Sequence, residues 1–207
     1  MKGSLYTILY AMALSSFCAL ILTGVGRFAA PYREANAKAE KILNILQVLG
    51  VPVQEDASSQ ELLKIFEENV RAETHGALDV YLYAQAQRAP KAIAISFGGP
   101  GLWGPIKGLL ALEPDKTTIR GITFYEQEET PGLGGEISSP SFQNQFEGKS
   151  IRGPGAQLGI KIIRGGGASE PNEVDAITGA TMTSEKVQAM LNQAIATFIT
   201  EYAEREP

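Results

Sequence analysis

The chain has 207 residues, 44% of them apolar, and a net charge of -5, enough for one domain of ordinary size with a core. It has no long basic patch, which argues against nucleic acid as a partner. The single cysteine, Cys18, excludes an internal disulfide framework, and the single histidine, His75, excludes a His-cluster metal site.

The first residues differ from the rest. From Gly3 to Gly26 no side chain is charged, and residues 5–25 read LYTILYAMALSSFCALILTGV. About 20 apolar residues cross the hydrocarbon core of a bilayer as a helix, so residues 1–26 are expected to be a membrane anchor. A cleaved signal peptide and a buried core helix are the rival readings. The run is longer than the roughly 7–15 apolar residues of a signal peptide's central region. The nearest A-x-A site, Ala35-Asn36-Ala37, lies beyond it, and the bulky Phe17 ahead of Cys18 suits lipoprotein processing poorly. An uncleaved anchor is the expectation. Lys2 stands on one side of the run, and Arg27, Arg33, Lys38 and Lys41 on the other. Counted by basic residues, this does not favour export of the C-terminal part.

Residues 27–76 are expected to be a helical connecting segment. Ala35, Ala39, Ile42, Leu43, Leu46 and Leu49 recur at helical spacing until Gly50 and Pro52 stop the run. Ser58-x-x-Glu61 is a capping-box pattern opening a second helix that carries Leu62, Leu63, Phe66 and Val70. From residue 77 to 207 a single domain is expected, and from Asp79 the period changes to two. DVYLYAQ (79–85), KAIAISF (91–97), IKGLLALE (106–113), TIRGITFYEQ (118–127) and LGIKIIR (158–164) read as short strands separated by Gly, Pro and Asp. EPDKT (113–117) reads as the turn of a hairpin. The last helix, starting near Thr183, puts Val187, Met190, Leu191, Ala194, Ile195, Phe198 and Ile199 on one face, which must pack on the sheet. The fold class is therefore α+β: one N-terminal transmembrane helix, then a domain with a mainly antiparallel sheet packed by helices.

Ahead of that last helix stands DAITGATMTSEKV (175–187). Two readings of it are open. Thr183 or Ser184 caps the helix with its hydroxyl, after a tight turn that needs Gly179. Alternatively the helix N-terminus, with free N–H groups and a partial positive charge, receives a phosphate that Gly179 and Ala180 let close to the backbone, bound there or linked through a threonine hydroxyl. Glu185 in the first turn weighs mildly against an anion. Neither GxxxxGK[ST] nor GxGxxG after a strand is present, so no nucleoside triphosphatase or Rossmann site is indicated.

The same stretch closely resembles the flavinylation motif of the FMN-binding family that includes the C subunit of the Na+-translocating NADH:quinone oxidoreductase and the G subunit of the Rnf electron-transport complex. Asp175, Thr178, Gly179, Ala180, Thr181 and Thr183 fill that motif. The resemblance implies covalent FMN, held by a phosphoester on Thr183 and attached from FAD by a flavin transferase. Upstream, residues 99–137, with GLWGP, TFYEQ and ETPGLG, look like the family's second conserved block, in wording nearer the quinone reductase member than the Rnf one. The resemblance implies Thr130 and Leu133 near the flavin, with Pro131 and Gly132 shaping their loop. Without the companion motif, that loop reads as an ordinary Gly/Pro turn.

Trp103 either stacks near the flavin or sits in the core, and for an isolated Trp the core is the default. Tyr81, Tyr83, Phe124 and Tyr125 are expected to be packing residues. Glu126, Glu128 and Glu129 are expected to be a solvated charge cluster, and His75 a surface residue in a loop. No catalytic acid–base pair, nucleophile or metal site is expected; the chemistry would be the flavin's. By the resemblance the chain is an electron-transfer subunit of a membrane complex that oxidises NADH with quinone and exports Na+. Its partners are the other subunits, and its domain lies on the extracytoplasmic side of the cytoplasmic membrane. The alternatives are the G subunit of an Rnf-type complex and a free-standing membrane-anchored extracytoplasmic flavoprotein.

Overall fold

The computed structural model describes residues 2–54, 56–76, 78–84 and 89–203. The chain divides into two compact units between Ala39 and Glu40.

The first unit is helical throughout its described length and belongs to helix α1, Lys2–Leu49. Leu5, Leu9, Met12, Phe17, Leu20 and Leu22 expose most of their surface. By length and composition the helix is long and apolar enough to cross a membrane. Gly24, Gly26 and Pro31, which would mark a break, all lie inside it. The two helical runs expected from the sequence thus form one element. It ends at Leu49, as the Gly50 and Pro52 signals require, and Gly50 adopts φ +71°.

The second unit is built on five antiparallel strands: β1 Val70–His75, β2 Leu78–Tyr83, β3 Ala92–Pro100, β4 Pro105–Leu112 and β5 Ile119–Glu126. They run as a meander in the order β1-β2-β3-β4-β5. Both faces of this sheet are covered. On one, Val80, Leu82, Ile93, Ile95 and Leu110 pack with Phe142 of the one-turn helix α3, Pro140–Gln143, and with Val187, Leu191, Ile195 and Phe198 of the last helix, α4, which runs Thr181–Phe198. On the other, Tyr81, Tyr83, Ala94, Leu109 and Ala111 pack with Ile42, Ile45, Leu46 and Leu49 from the end of α1 and with Leu62 of helix α2, Ser59–Asn69. The α+β class, the antiparallel sheet, and the packing of the last helix upon it match the sequence expectation. Burial on both faces is why β2 and β3 read as nearly continuous apolar runs instead of a clean alternation.

Local signals account for most boundaries. Ser58 and Glu61 form the expected capping box at the start of α2. The EPDKT turn closes the β4–β5 hairpin, with Asp115 Oδ1 accepting from the N–H groups of Thr117 and Thr118, each at 2.8 Å. Three features differ from the sequence expectation. Val70, expected on the apolar face of the second helix, opens strand β1, because its N–H caps that helix at Phe66 and the chain then pairs with β2. The parallel pair β6 Lys161–Ile163 and β7 Glu173–Asp175 joins two strands of three residues each; β6 lies within the expected run 158–164, while β7 is too short to show a period. Residues 79–84 of the first expected strand run are described, and Gln85 lies outside the described residues. His75, expected in a loop, is the last residue of β1, half-buried, with its ring 5.2 Å from that of Tyr202.

Candidate functional site

Three stretches far apart in sequence meet at the first turn of α4. The first is the tip of the β3–β4 hairpin, Gly101-Leu102-Trp103-Gly104. It is closed by the Gly101 N–H donating to the Gly104 carbonyl at 2.7 Å, which holds Leu102 and Trp103 outward. Trp103 is 71% exposed. The core placement that an isolated Trp favours is therefore corrected: a four-residue hairpin tip has no interior side to receive it.

The second stretch is the loop Glu129–Gly135 after β5. The carbonyl of Thr130 accepts from the N–H groups of Leu133 at 3.1 Å and Gly135 at 2.9 Å, and Gly132 adopts φ +75°. This tight turn lifts Leu133 to the surface and drops Glu129 inward.

The third stretch is the motif itself. The helix begins two residues earlier than the sequence suggests, with Ala180 as its N-cap and no side chain capping it. The capping roles considered for Thr183 and Ser184 are therefore corrected. Thr183 is the third residue of the helix, buried, and its hydroxyl points away from the helix backbone toward a carboxylate. Ser184 turns its hydroxyl back, donating to the Ala180 carbonyl at 3.0 Å and accepting from the Ile177 N–H at 3.3 Å. Gly179 makes the preceding turn at φ +79°. Glu185, which weighed against an anion, is paired with Arg164. Asp175 lies off this turn, on β7, where its carboxylate accepts from the Ala168 N–H at 2.8 Å.

One carboxylate ties the three stretches together. Glu129 is 5% exposed. Its Oε2 accepts from Thr183 Oγ1 at 2.7 Å, and its Oε1 accepts from the N–H groups of Leu102 at 2.6 Å and Trp103 at 3.2 Å. The expectation that Glu129 belongs to a solvated cluster is corrected: only Glu128 is freely exposed, while Glu126 pairs with Lys107 at 2.8 Å. Sequence offers no signal for this, because three acidic residues in four positions look alike until the loop folds. Burial pushes the Glu129 carboxyl up. The hydrogen bonds from Thr183, Trp103 and Leu102, together with the Lys186 charge, outweigh burial and hold it below the ordinary glutamate value of 4.5.

Stability therefore depends on pH through this residue. Below pH 4.5 the unfolded chain takes up a proton that the folded chain resists, so the stability contributed by Glu129 is present at neutral pH and lost as pH falls through that range. Urea unfolding at pH 7 and pH 4 should show a smaller loss of stability in Glu129→Gln than in the natural chain.

Beside this junction lies a cleft of about 350 Å³. Leu102, Trp103, Leu133 and Met182 supply its apolar walls, and Thr183, Glu129 and Gly134 line it further in, with Thr130, Gly179, Ala180 and Thr181 completing it. Of the residues singled out from the sequence, Thr183, Thr181, Ala180, Gly179, Thr130, Leu133 and Trp103 are brought together here. Thr178, Pro131 and Gly132 stand outside the lining. Leu102, Glu129, Gly134 and Met182 are lining residues that the motif did not indicate.

Comparison with known proteins points the same way. The family described as "FMN-binding domain" matches residues 101–196, a range that contains all three stretches. The chain is 28% identical over 223 residues to the C subunit of the Na(+)-translocating NADH-quinone reductase of Pasteurella multocida (strain Pm70), covering 87% of this chain and 85% of that protein. It is 42% identical over 110 residues to the protein of the same name from Neisseria meningitidis serogroup A, covering 53% of this chain and 43% of that one. Among solved structures, the C subunit of the Na(+)-translocating NADH-quinone reductase from Parabacteroides distasonis ATCC 8503 superposes with a TM-score of 0.67 at 30% identity, covering 81% of this chain and 94% of that one. Shewanella oneidensis NqrC has the same fold, with a TM-score of 0.67 at 23% identity, covering 81% and 98%.

Proposed function

This chain belongs to the FMN-binding family of the C subunit of the Na+-translocating NADH-quinone reductase, and on that premise we propose that it is a membrane-anchored electron-transfer protein carrying FMN on Thr183. The relatives are subunits of an oxidoreductase complex, and as one of that family this chain is an FMN-binding subunit of such a complex. The finer reading rests above all on one observation. The motif hydroxyl lies at the inner end of a cleft whose outer walls are apolar, so one side chain offers an attachment point and its neighbours offer a slot.

The residues present fit the group. Trp103 and Leu133 are large, exposed apolar side chains on separate loops, suited to cover a flat ring. Thr130 offers a hydroxyl at the edge. The first turn of α4 is uncapped, so its N–H groups are available to a phosphodiester linked through Thr183. Bound FMN supplies one- and two-electron transfer, and the chain's own residues hold it and exclude water from one side. Covalent attachment suits a carrier that must stay in place through many turnovers. Lys186 lies close enough for its charge to act on Glu129, which tempers the negative charge around the phosphate.

The apolar residues of the first unit anchor the chain in the cytoplasmic membrane, with the FMN domain on the extracytoplasmic side, where the family has it. Maturation requires a flavin transferase using FAD, and the working partners are the other subunits of the complex. Expression of the full chain with a flavin transferase tests the reading. The intact mass should rise by one FMN less one water, on the peptide that contains Thr183, and the denatured protein should remain yellow. A bare peptide after that treatment would exclude it.

A further inference from the structure

We propose that Glu129 is the proton acceptor for attachment, taking the hydrogen of the Thr183 hydroxyl as its oxygen attacks phosphorus; this rests on the reading of Thr183 as the attachment residue. The acceptor chain, and not only the transferase, would then contribute a catalytic group to its own modification.

An aliphatic hydroxyl is a poor nucleophile until its proton has somewhere to go, and a positioned carboxylate that accepts a substrate hydroxyl proton is a recurring element of phosphoryl transfer. Here the Thr183 hydroxyl already donates to Glu129 Oε2, with the oxygens 2.7 Å apart, which leaves the lone pairs of Oγ1 for the incoming phosphorus. The carboxylate cannot swing aside. Its other oxygen is fixed by the N–H groups of Leu102 and Trp103, and the side chain is buried. Those two amides and Lys186 also keep it ionised at neutral pH.

The neighbouring hydroxyls lack this arrangement. The Ser184 hydroxyl is engaged with the backbone at Ala180 and Ile177. The carboxylate of Glu129 has its hydroxyl contact with Thr183 and not with Thr181. Position in the fold therefore selects one hydroxyl of three. The Thr183 Oγ1–P bond forms to the FMN-side phosphorus of a flavin adenine dinucleotide. The pyrophosphate P–O bond breaks, AMP leaves with that oxygen, and the proton passes to Glu129 and then to water. No group is oxidised or reduced.

The test is the rate at which the full chain gains FMN mass when incubated with flavin transferase and FAD, read by mass spectrometry on the Thr183 peptide. Glu129→Gln keeps an oxygen acceptor for the amides but no basic carboxylate, and labelling should be about 10²–10⁴-fold slower. Glu129→Ala should be equally slow and should recover part of the rate with formate but not with chloride. Each variant is assayed well below its own melting midpoint, so that loss of fold is not read as loss of a base. Labelling of Glu129→Gln at the natural rate overturns the proposal. So does a slow Glu129→Ala that formate leaves unchanged, since a merely structural carboxylate behaves that way. A natural chain that gains no FMN overturns the reading of Thr183 and this inference with it, and the unsubstituted arm tells that failure apart.

Discussion

Thr183→Val is expected to yield a chain that carries no flavin after denaturation and washing, while Thr183→Ser remains labelled. Valine copies the shape of threonine and removes only the oxygen, so the loss isolates the hydroxyl. The neighbouring hydroxyls are not expected to substitute, because Ser184 is held by backbone groups and the hydroxyl that donates to Glu129 is that of Thr183, not Thr181. The variant will also be less stable. Thr183 does not cap the helix; it supplies the hydroxyl hydrogen bond to a buried carboxylate, and leaving that oxygen without its donor costs about 1–3 kcal/mol. Flavin content by denatured absorbance and intact mass, read beside a melting curve by circular dichroism, separates the two effects. A Thr183→Val chain that stays yellow would place the attachment elsewhere.

The second large effect is expected at Gly134. A Cβ added there would lie 2.6 Å from Thr183 Oγ1 and 2.6 Å from Glu129 Oε2, closer than real Cβ contacts come. Both residues are buried and hydrogen-bonded to each other, so the added carbon fits only if one of them moves. Gly134→Ala should therefore force the hydroxyl and carboxylate apart. It should cost about 1.5–3 kcal/mol for a hydrogen bond to a charged group, or roughly 3–12 °C in melting temperature for a unit of this size. It should also slow FMN attachment, because the attacking oxygen is displaced. Gly121→Ala makes the control. Its added Cβ would meet only Val48 Cγ2 at 3.8 Å, an ordinary contact, and its melting temperature should barely move. Equal melting temperatures for the two variants would show that the space between Gly134 and the Thr183–Glu129 pair is not filled as described.

Much of this molecule could be read without its fold, and the parts that could share a physical origin. The apolar run at 5–25, the stop at Gly50, the capping box at Ser58 and Glu61, the EPDKT turn and the apolar face of α4 are all set by interactions within a few residues, so they leave a periodic or positional mark in the chain. The hydroxyl-rich turn ahead of α4 was legible in the same local way, as small residues and hydroxyls before a helix. What local pattern could not supply was the outcome of long-range packing. Whether Val70 continued a helix or opened a strand depended on β2 being there to pair with it. Trp103 and Glu129 looked like an ordinary core residue and an ordinary surface residue, and the fold reversed both, since a hairpin tip has no inside and a tight turn at Thr130 has no room to leave Glu129 out.

The sequence by itself determined the α+β class and the apolar N-terminal helix, and by its resemblance to a flavinylation motif it pointed to the hydroxyl of Thr183 as the proposed attachment point. Only the tertiary structure decided what surrounds that hydroxyl. Glu129 and Thr183 are 54 positions apart, and a contact over that distance exists only once the sheet and α4 have packed together. No spacing rule records it.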